Sequence, residues 1–286
     1  MTELFFVQLN QANLAYRLYE NPLGIAGRSL LLIHGAGVGG QLTWESMLPY
    51  LENWQYILLP DLRGMGDTHH HSGEELPVSI SDLAHDIHQL TEHLQWINFD
   101  VVGYSLGGAV SIMLNQRRIA SGLPCIEKVA LLEPATFDRE PLEELYQLRL
   151  KYRKASEVIR LTGDLELGIA QFLDGVAANR RKNEMAERTT QSRLAHRPYG
   201  FAYALDAVTD LVETFIENPE VRDDLYHSLP AVMLFAGGLS DDRLKAYYQK
   251  MVINKPEWRY VEISNTDHSL PFQKPRQIAK KLNEWF

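Results

Sequence analysis

A single cysteine, Cys125, stands among the 286 residues, so no internal disulfide can staple the chain. Its neighbours Leu123, Pro124 and Ile126 read as the approach to a buried strand, which predicts a packed thiol and not a reactive one. Positive charge is also short. With 28 Lys and Arg against 37 Asp and Glu the formal charge is −9, which leaves no basic footprint for nucleic acid. No apolar run is long enough to span a bilayer, and no basic leader precedes a short apolar stretch at the start. A soluble, cytoplasmic protein is expected. The usual metal patterns are missing too. His69, His70 and His71 are adjacent, a spacing that converges poorly on one tetrahedral ion, and no H-E-x-x-H helix supports them, so they are expected to face solvent. The glycine-rich loop after His34 lacks the lysine of a phosphate-cradling loop. Neither metal nor cofactor is expected.

What is present is ordinary for a globular chain, 45% hydrophobic and 23% charged, and long enough for one large core with a subdomain laid across it. Leu4–Leu9 and Ala12–Tyr19 read as an antiparallel hairpin with Asn10-Gln11 as the turn. Segments at 29–33, 56–60, 99–104, 126–132, 231–236 and 258–263 read as strands, and the short, continuously apolar run at 29–33 has the signature of one covered on both faces. Helical spacing falls between them. Leu83, Ile87, Leu90, Leu94 and Ile97 share one face of a helix with Ser81 as a reasonable N-cap, and 242–251 and 275–285 are further helices. Strand and helix in alternation predict an α/β fold, a mostly parallel central sheet flanked by helices.

Between Pro134 and about Ser228 the strand signal stops and only helical periodicity remains. The expected organisation is therefore a core formed by 1–133 and 229–286, with 134–228 inserted after the sixth strand as a helical lid. Aromatic residues of the insertion, Phe137, Tyr146, Tyr152, Phe172, Tyr199, Phe201 and Tyr203, are candidates for the pocket or for the lid's own core. Arg180-Arg181-Lys182 reads equally well as a solvated face or as a contact for an acidic leaving group. Arg63 and Asp67 are expected to pair within the loop that follows 56–60.

Gly103-Tyr104-Ser105-Leu106-Gly107 carries the chemistry. An apolar strand enters it and a helix leaves it, so the serine stands on a tight corner that needs small residues two positions to either side. A hydroxyl becomes a useful nucleophile only when a base takes its proton, and the base works better with a carboxylate on its other nitrogen. Ser105, Asp241 and His268 each follow a predicted strand at its C-terminal end, where open α/β sheets build their sites. The backbone N–H of Leu106, first in the helix after the corner, is one candidate oxyanion donor.

With these residues the chain resembles the α/β-hydrolase superfamily, in its lid-bearing group of esterases, lipases, carbon–carbon bond hydrolases and epoxide or haloalkane hydrolases. The resemblance rests on His34-Gly35 and the glycines after it, Asp61-Leu62-Arg63-Gly64-Met65-Gly66, the Ser105 corner, and Asp267-His268. It implies that His268 is the general base, that His34 is structural, and that Ala36 supplies the second oxyanion N–H. It also implies a carboxylate three residues after a glycine that closes the penultimate strand. Counting from Gly238 gives Asp241, with Asp242 and Glu133 as alternatives. A serine at the corner departs from the epoxide and haloalkane members, whose nucleophile is an aspartate.

The expected activity is cleavage of a carboxylic ester of a small or medium apolar substrate through an acyl-enzyme. Thioester cleavage or carbon–carbon cleavage of a β-diketone-like substrate would use the same groups. Two rivals from other classes are a non-catalytic small-molecule binding protein on the same fold and cofactor-free oxygen chemistry. The expected partner is a small molecule, and monomer and homodimer are both left open.

Overall fold

The runs at 29–33, 56–60 and 231–236 have no polar face to offer water, so they can be stable only in the middle of a sheet covered on both sides. A computed structural model of the protein describes residues 3–137, 139–180 and 183–286 and places them there. The strands are β1 (Leu4–Gln8), β2 (Ala12–Glu20), β3 (Ser29–Ile33), β4 (Tyr56–Pro60), β5 (His69–His70), β6 (Asp100–Tyr104), β7 (Lys128–Leu132), β8 (Ala231–Gly237) and β9 (Arg259–Ile263). They form one sheet in the order β1-β2-β4-β3-β6-β7-β8-β9, with β5 on β2. β2 runs antiparallel to its neighbours, and from β4 to β9 every pairing is parallel. Every residue of β3 and β6 is buried.

Helices cover both faces. α1 (Gly40–Trp44) follows β3, α2 (Ile80–His93) precedes β6, and α3 (Leu106–Ala120) leaves β6 directly. Between β7 and β8 lie α4 (Leu142–Glu157), α5 (Leu165–Val176), α6 (Glu184–Leu194), α7 (Pro198–Glu217) and α8 (Pro219–His227), and no strand among the described residues. α9 (Asp242–Asn254), α10 (Leu270–Gln273) and α11 (Pro275–Trp285) complete the chain. One hydrophobic cluster fills the space between the sheet and α2, α3 and α9, with α7 and α8 against it, and a second lies on the opposite face under α1 and α11. A third, built from Tyr152, Ile159, Phe172, Leu173 and Phe201, belongs to the helical insertion.

Several local expectations give way to specific chemistry. α2 is capped by Ser79, not Ser81, because Asp82 completes a capping box: the Asp82 N–H donates to Ser79 Oγ, and the Ser79 N–H donates back to the Asp82 carboxylate at 2.9 Å. The same helix stops at Leu94, with Gln95 at φ 58°, so Ile97 is exposed and not on its apolar face. Cys125 is exposed, one residue before the buried Ile126. His70 is 7% exposed, because His69 and His70 form β5 and pair with Ala12 and Asn13. His71 points its Nε2 at the Leu9 carbonyl. Arg63 pairs with Asp86 at 2.5 Å, while Asp67 pairs with Arg17 at 2.7 Å, so the expected Arg63–Asp67 pair is replaced by two longer-range ones. Arg181 and Lys182 lie outside the described residues; Arg180 holds Asp174 and Glu187.

The sheet positions its chemistry through one close approach. A Cβ on Gly103 would stand 2.4 Å from Ser111 Oγ and 2.5 Å from the Gly107 carbonyl, and one on Gly107 would stand 2.3 Å from the Ile33 carbonyl. β6 and α3 therefore meet with no room for a side chain. Gly103→Ala is expected to cost ~1–3 kcal/mol of overpacking strain, read as a lower urea midpoint with an unchanged m-value.

Candidate active site

Ser105 is the residue that turns β6 into α3, at φ 52° and ψ −115°. A non-glycine residue in that region is strained, and it is held by its neighbours. The Ser105 N–H donates to the Leu132 carbonyl at 2.9 Å, which ties the corner to the next strand, and its own carbonyl accepts from Gly108 and Ala135. The side chain is pushed out at the C-terminal edge of the sheet.

His268 reaches it from beyond β9. The loop that carries it is fixed by polar contacts: Asp267 accepts from the Ser269 N–H at 2.8 Å and from Gln273 Nε2 at 3.0 Å, and the Leu239 N–H binds the Thr266 carbonyl at 2.8 Å. His268 Nε2 lies 3.1 Å from Ser105 Oγ, and its Nδ1 lies 2.7 Å from Glu133 Oε2. Glu133 follows β7 by one residue, as Ser105 follows β6, and the two strands are parallel neighbours in register, Tyr104 opposite Leu132. The glutamate is 3% exposed. Its other oxygen accepts from the Gly237 N–H at 2.7 Å and from Ser240 Oγ at 2.5 Å, so the carboxylate has three donors. With the carboxylate on Nδ1–H, Nε2 is left to accept from the serine hydroxyl.

Asp241, the expected acid, stands elsewhere. It is the N-cap of α9, accepting from the Arg243 N–H, and its carboxylate pairs with Arg243 at 2.9 Å and Arg139 at 3.4 Å. The Arg243 hydrogen bond, with Arg139 nearby, holds its carboxyl below the usual range. Asp242 points to water and pairs with Lys245. The turn after β8 accounts for both: the chain leaves the sheet at Gly237, and the next four residues carry Asp241 outward to start a helix. The signal that singles out Glu133 was present in the sequence, an acidic residue one position past an apolar run in the strand after the serine corner.

The loop after β3 lies against the corner. Gly107 leaves it space to bring the carbonyls of Ile33 and His34 close, and Ala36 and Leu106 both line the cavity beside Ser105. Leu106 N–H is the first of α3 and has no acceptor within its own helix. His34 is fully buried. Its Nε2 accepts from the Leu62 N–H at 2.8 Å and its Nδ1 faces the Gly35 carbonyl at 2.7 Å, which braces the loop. The Tyr104 ring lies tilted beside His268, centroids 5.2 Å apart, and burial pushes its hydroxyl well above the ordinary tyrosine range.

Two cavities open from Ser105 and His268, of about 380 and 440 Å³. Phe172 lines both, Tyr152 lines the first, and Phe201 is packed behind Phe172, so the insertion's aromatic residues divide between pocket and core. Among the described residues no group of His, Cys, Asp and Glu is placed to hold a metal ion, and no helix is long and apolar enough to cross a membrane.

A sequence model of the alpha/beta hydrolase family matches residues 30–281. The chain belongs to this family. Among curated proteins it is similar to pyrrolizixenacetamide deacetylase of Xenorhabdus hominickii, 30% identical over 144 residues, which are 48% of this chain and 51% of that protein. Curated relatives are thus matched over about half their length or less. Among solved structures, an AqdC variant that cleaves the ring of the Pseudomonas quinolone signal superposes with a TM-score of 0.77 at 15% identity, covering 99% of this chain and 98% of that one. A thermophilic esterase from Thermogutta terrifontis superposes with a TM-score of 0.73 at 18% identity, over 99% and 97%. Likenesses at this identity show the hydrolase fold.

Burial holds His34 below its usual value of 6.5, against a smaller opposing pull from Asp61. Below pH 6.5 the unfolded chain therefore binds a proton at this residue that the folded chain refuses, and stability falls as pH drops from that value toward the lowered folded one. Urea unfolding between pH 7.5 and 5.5 is expected to show stability decreasing with pH, with a shallower slope in His34→Gln.

Proposed function

We propose that the protein is a serine hydrolase that cleaves a carboxylic ester of a small substrate through an acyl-enzyme. The observation that carries this reading is the line Ser105 Oγ, His268, Glu133, with contacts of 3.1 and 2.7 Å. His268 takes the proton of Ser105 as Oγ attacks the carbonyl carbon. The oxyanion rests on the N–H groups of Ala36 and Leu106, and Glu133 stabilises the imidazolium. His268 then returns the proton to the leaving alkoxide, and the cycle repeats with water attacking the acyl group on Ser105. Burial of Glu133 favours this role, because its three donors fix its position beside Nδ1 where a mobile surface carboxylate would be screened. The deacetylase match supports acyl transfer as the class of chemistry.

The test is hydrolysis of p-nitrophenyl esters from acetate to decanoate by the parent and three variants. Ser105→Ala is expected to lose activity on the order of a millionfold in kcat. Glu133→Gln, which keeps the shape and leaves the imidazole in the wrong tautomer, is expected to lose roughly 10³–10⁴-fold. Asp241→Asn is expected to stay within a factor of ~10, the effect of about 1.4 kcal/mol. A large loss in Asp241→Asn with activity kept in Glu133→Gln would reverse the assignment of the acid, and unchanged turnover in Ser105→Ala would overturn the mechanism.

A further inference from the structure

The two cavities that share Ser105 differ in kind. The larger is lined by Val38, Leu173, Leu194 and Phe272, with Arg180, Glu187 and Arg193 at half-buried positions, and flanks the His268 loop through Tyr104 and Ser269. The smaller contains Leu106 and is walled by Arg139 and Arg149. Both arginines are buried, at 5% and 4% exposure. A guanidinium keeps its proton in any protein interior, so a buried one holds its charge and needs an anion or a full set of acceptors. Arg139 lacks the full set: its Nε has no hydrogen-bond partner among the described residues, and its ion pair with Asp241 spans 3.4 Å. That carboxylate is shared, since Arg243 holds it at 2.9 Å. Glu133 is committed to Gly237, Ser240 and His268, and Asp242 faces water with Lys245. Arg149 donates to the Ala135 carbonyl at 2.5 Å and lies over the Tyr152 ring at 5.0 Å, which sets its position on the cavity wall.

Building on the acyl-enzyme reading, we infer that the smaller cavity is an anion-binding lobe for a substrate whose acyl chain ends in a carboxylate. Leu106, the candidate oxyanion donor on α3, borders this lobe and not the other. The acyl chain therefore extends into it from the Ser105 ester, toward Arg139 and Arg149. The leaving group occupies the larger lobe beside His268, the residue that protonates it. Attack by Oγ forms the Ser105 ester, the C–O bond of the leaving group breaks, and the released alkoxide takes the proton from His268. The distal carboxylate takes no part in these bonds. It supplies the counter-charge that Asp241 shares with Arg243, and a planar guanidinium can hold it with paired N–H donors.

The experiment compares kcat/KM for p-nitrophenyl hydrogen glutarate with that for its neutral methyl ester in the full chain. The parent is expected to favour the half-acid by about tenfold or more, the ratio that 1.4 kcal/mol of discrimination gives. In Arg139→Met the ratio falls toward one, in Arg139→Lys part of it remains, and in Arg188→Met, a change on the exposed surface, it stays at the parent value. A second readout is independent of turnover. Glutarate at millimolar concentration raises the Tm of the Ser105→Ala chain, glutaramide does not, and Arg139→Met abolishes the shift. A parent ratio near one, or a glutarate shift that persists in Arg139→Met, would overturn the lobe. Ester turnover that survives Ser105→Ala, with the glutarate shift intact, would remove the acyl-enzyme reading and leave the lobe standing.

Discussion

The close contact between β6 and α3 is the constraint on which the site depends. Ser105 can hold a left-handed φ only because Gly103 and Gly107 remove every atom that would separate strand from helix there. The same absence of side chains lets the β3 loop settle against the first turn of α3, so the serine, the Leu106 N–H and Ala36 are placed by one packing event. The register does the rest. Because β6 and β7 are parallel and paired at Tyr104 and Leu132, the residue that follows each strand emerges on the same edge, and these are Ser105 and Glu133. His268 closes the arrangement from β9, two strands further on. Its loop is tied to the end of β8 by the Gly238 and Leu239 N–H groups, which donate to Ile263 and Thr266. Strain at one residue is thus maintained by several long-range contacts, as a preorganised site requires.

A second buried carboxylate orders the opposite rim. Asp61 is 1% exposed, and it accepts from the Gly40 N–H at 2.6 Å and the Asp67 N–H at 2.9 Å, with Arg17 at 3.5 Å. Gly39, Gly40 and Gly66 crowd around it so closely that a Cβ on Gly66 would stand 2.4 Å from its carboxylate. The polar loop after β4 is therefore a structural clamp on the glycine loop after β3, and through it on Ala36. Asp86 completes this region with Arg63. Burial pushes the Asp86 carboxyl up and the guanidinium pulls it back, the balance expected of an ion pair withdrawn from water. The helical insertion is fastened here as well: Glu75 accepts from Arg197 Nε and from the Gly200 N–H, both at 2.7 Å.

Much of the sheet was legible in the sequence because central strands such as β3, β4 and β8 are buried and read as apolar runs. The serine corner and the histidine loop were legible because each follows a segment that reads as a strand. Expectation and structure part where the decisive partner lies outside the apolar pattern, whether near in sequence or far. Ser79 is preferred over Ser81 by a carboxylate three residues on, which a reading of apolar spacing overlooks. His70 is buried by pairing with Ala12, a contact across about sixty residues of chain. Asp241 satisfied a count from a glycine, yet the count carries no information about which way the chain turns after β8. Glu133 lay in plain view at the end of a strand, and what distinguishes it is the strand order β6-β7-β8, a property of topology that no local pattern records. The short helices α6, α8 and α10 were missed because most of their residues face water or other helices and leave little periodic trace.

The same logic explains why buried arginines gather on one side of Ser105 while apolar side chains gather on the other. α4 and the chain before it bring Arg149 and Arg139 toward β7 and β8, whose ends already carry Glu133 and Asp241. α5 and α6 instead turn Leu173 and Leu194 toward the β3 loop and α10, which offer Val38 and Phe272. The guanidiniums on that side keep partners of their own, Arg180 with Asp174 and Glu187 and Arg193 over the Phe272 ring, whereas an apolar side chain beside Asp241 would strip that carboxylate of its partners. The first segment of the insertion and its middle are thus matched to different halves of the core edge beneath them.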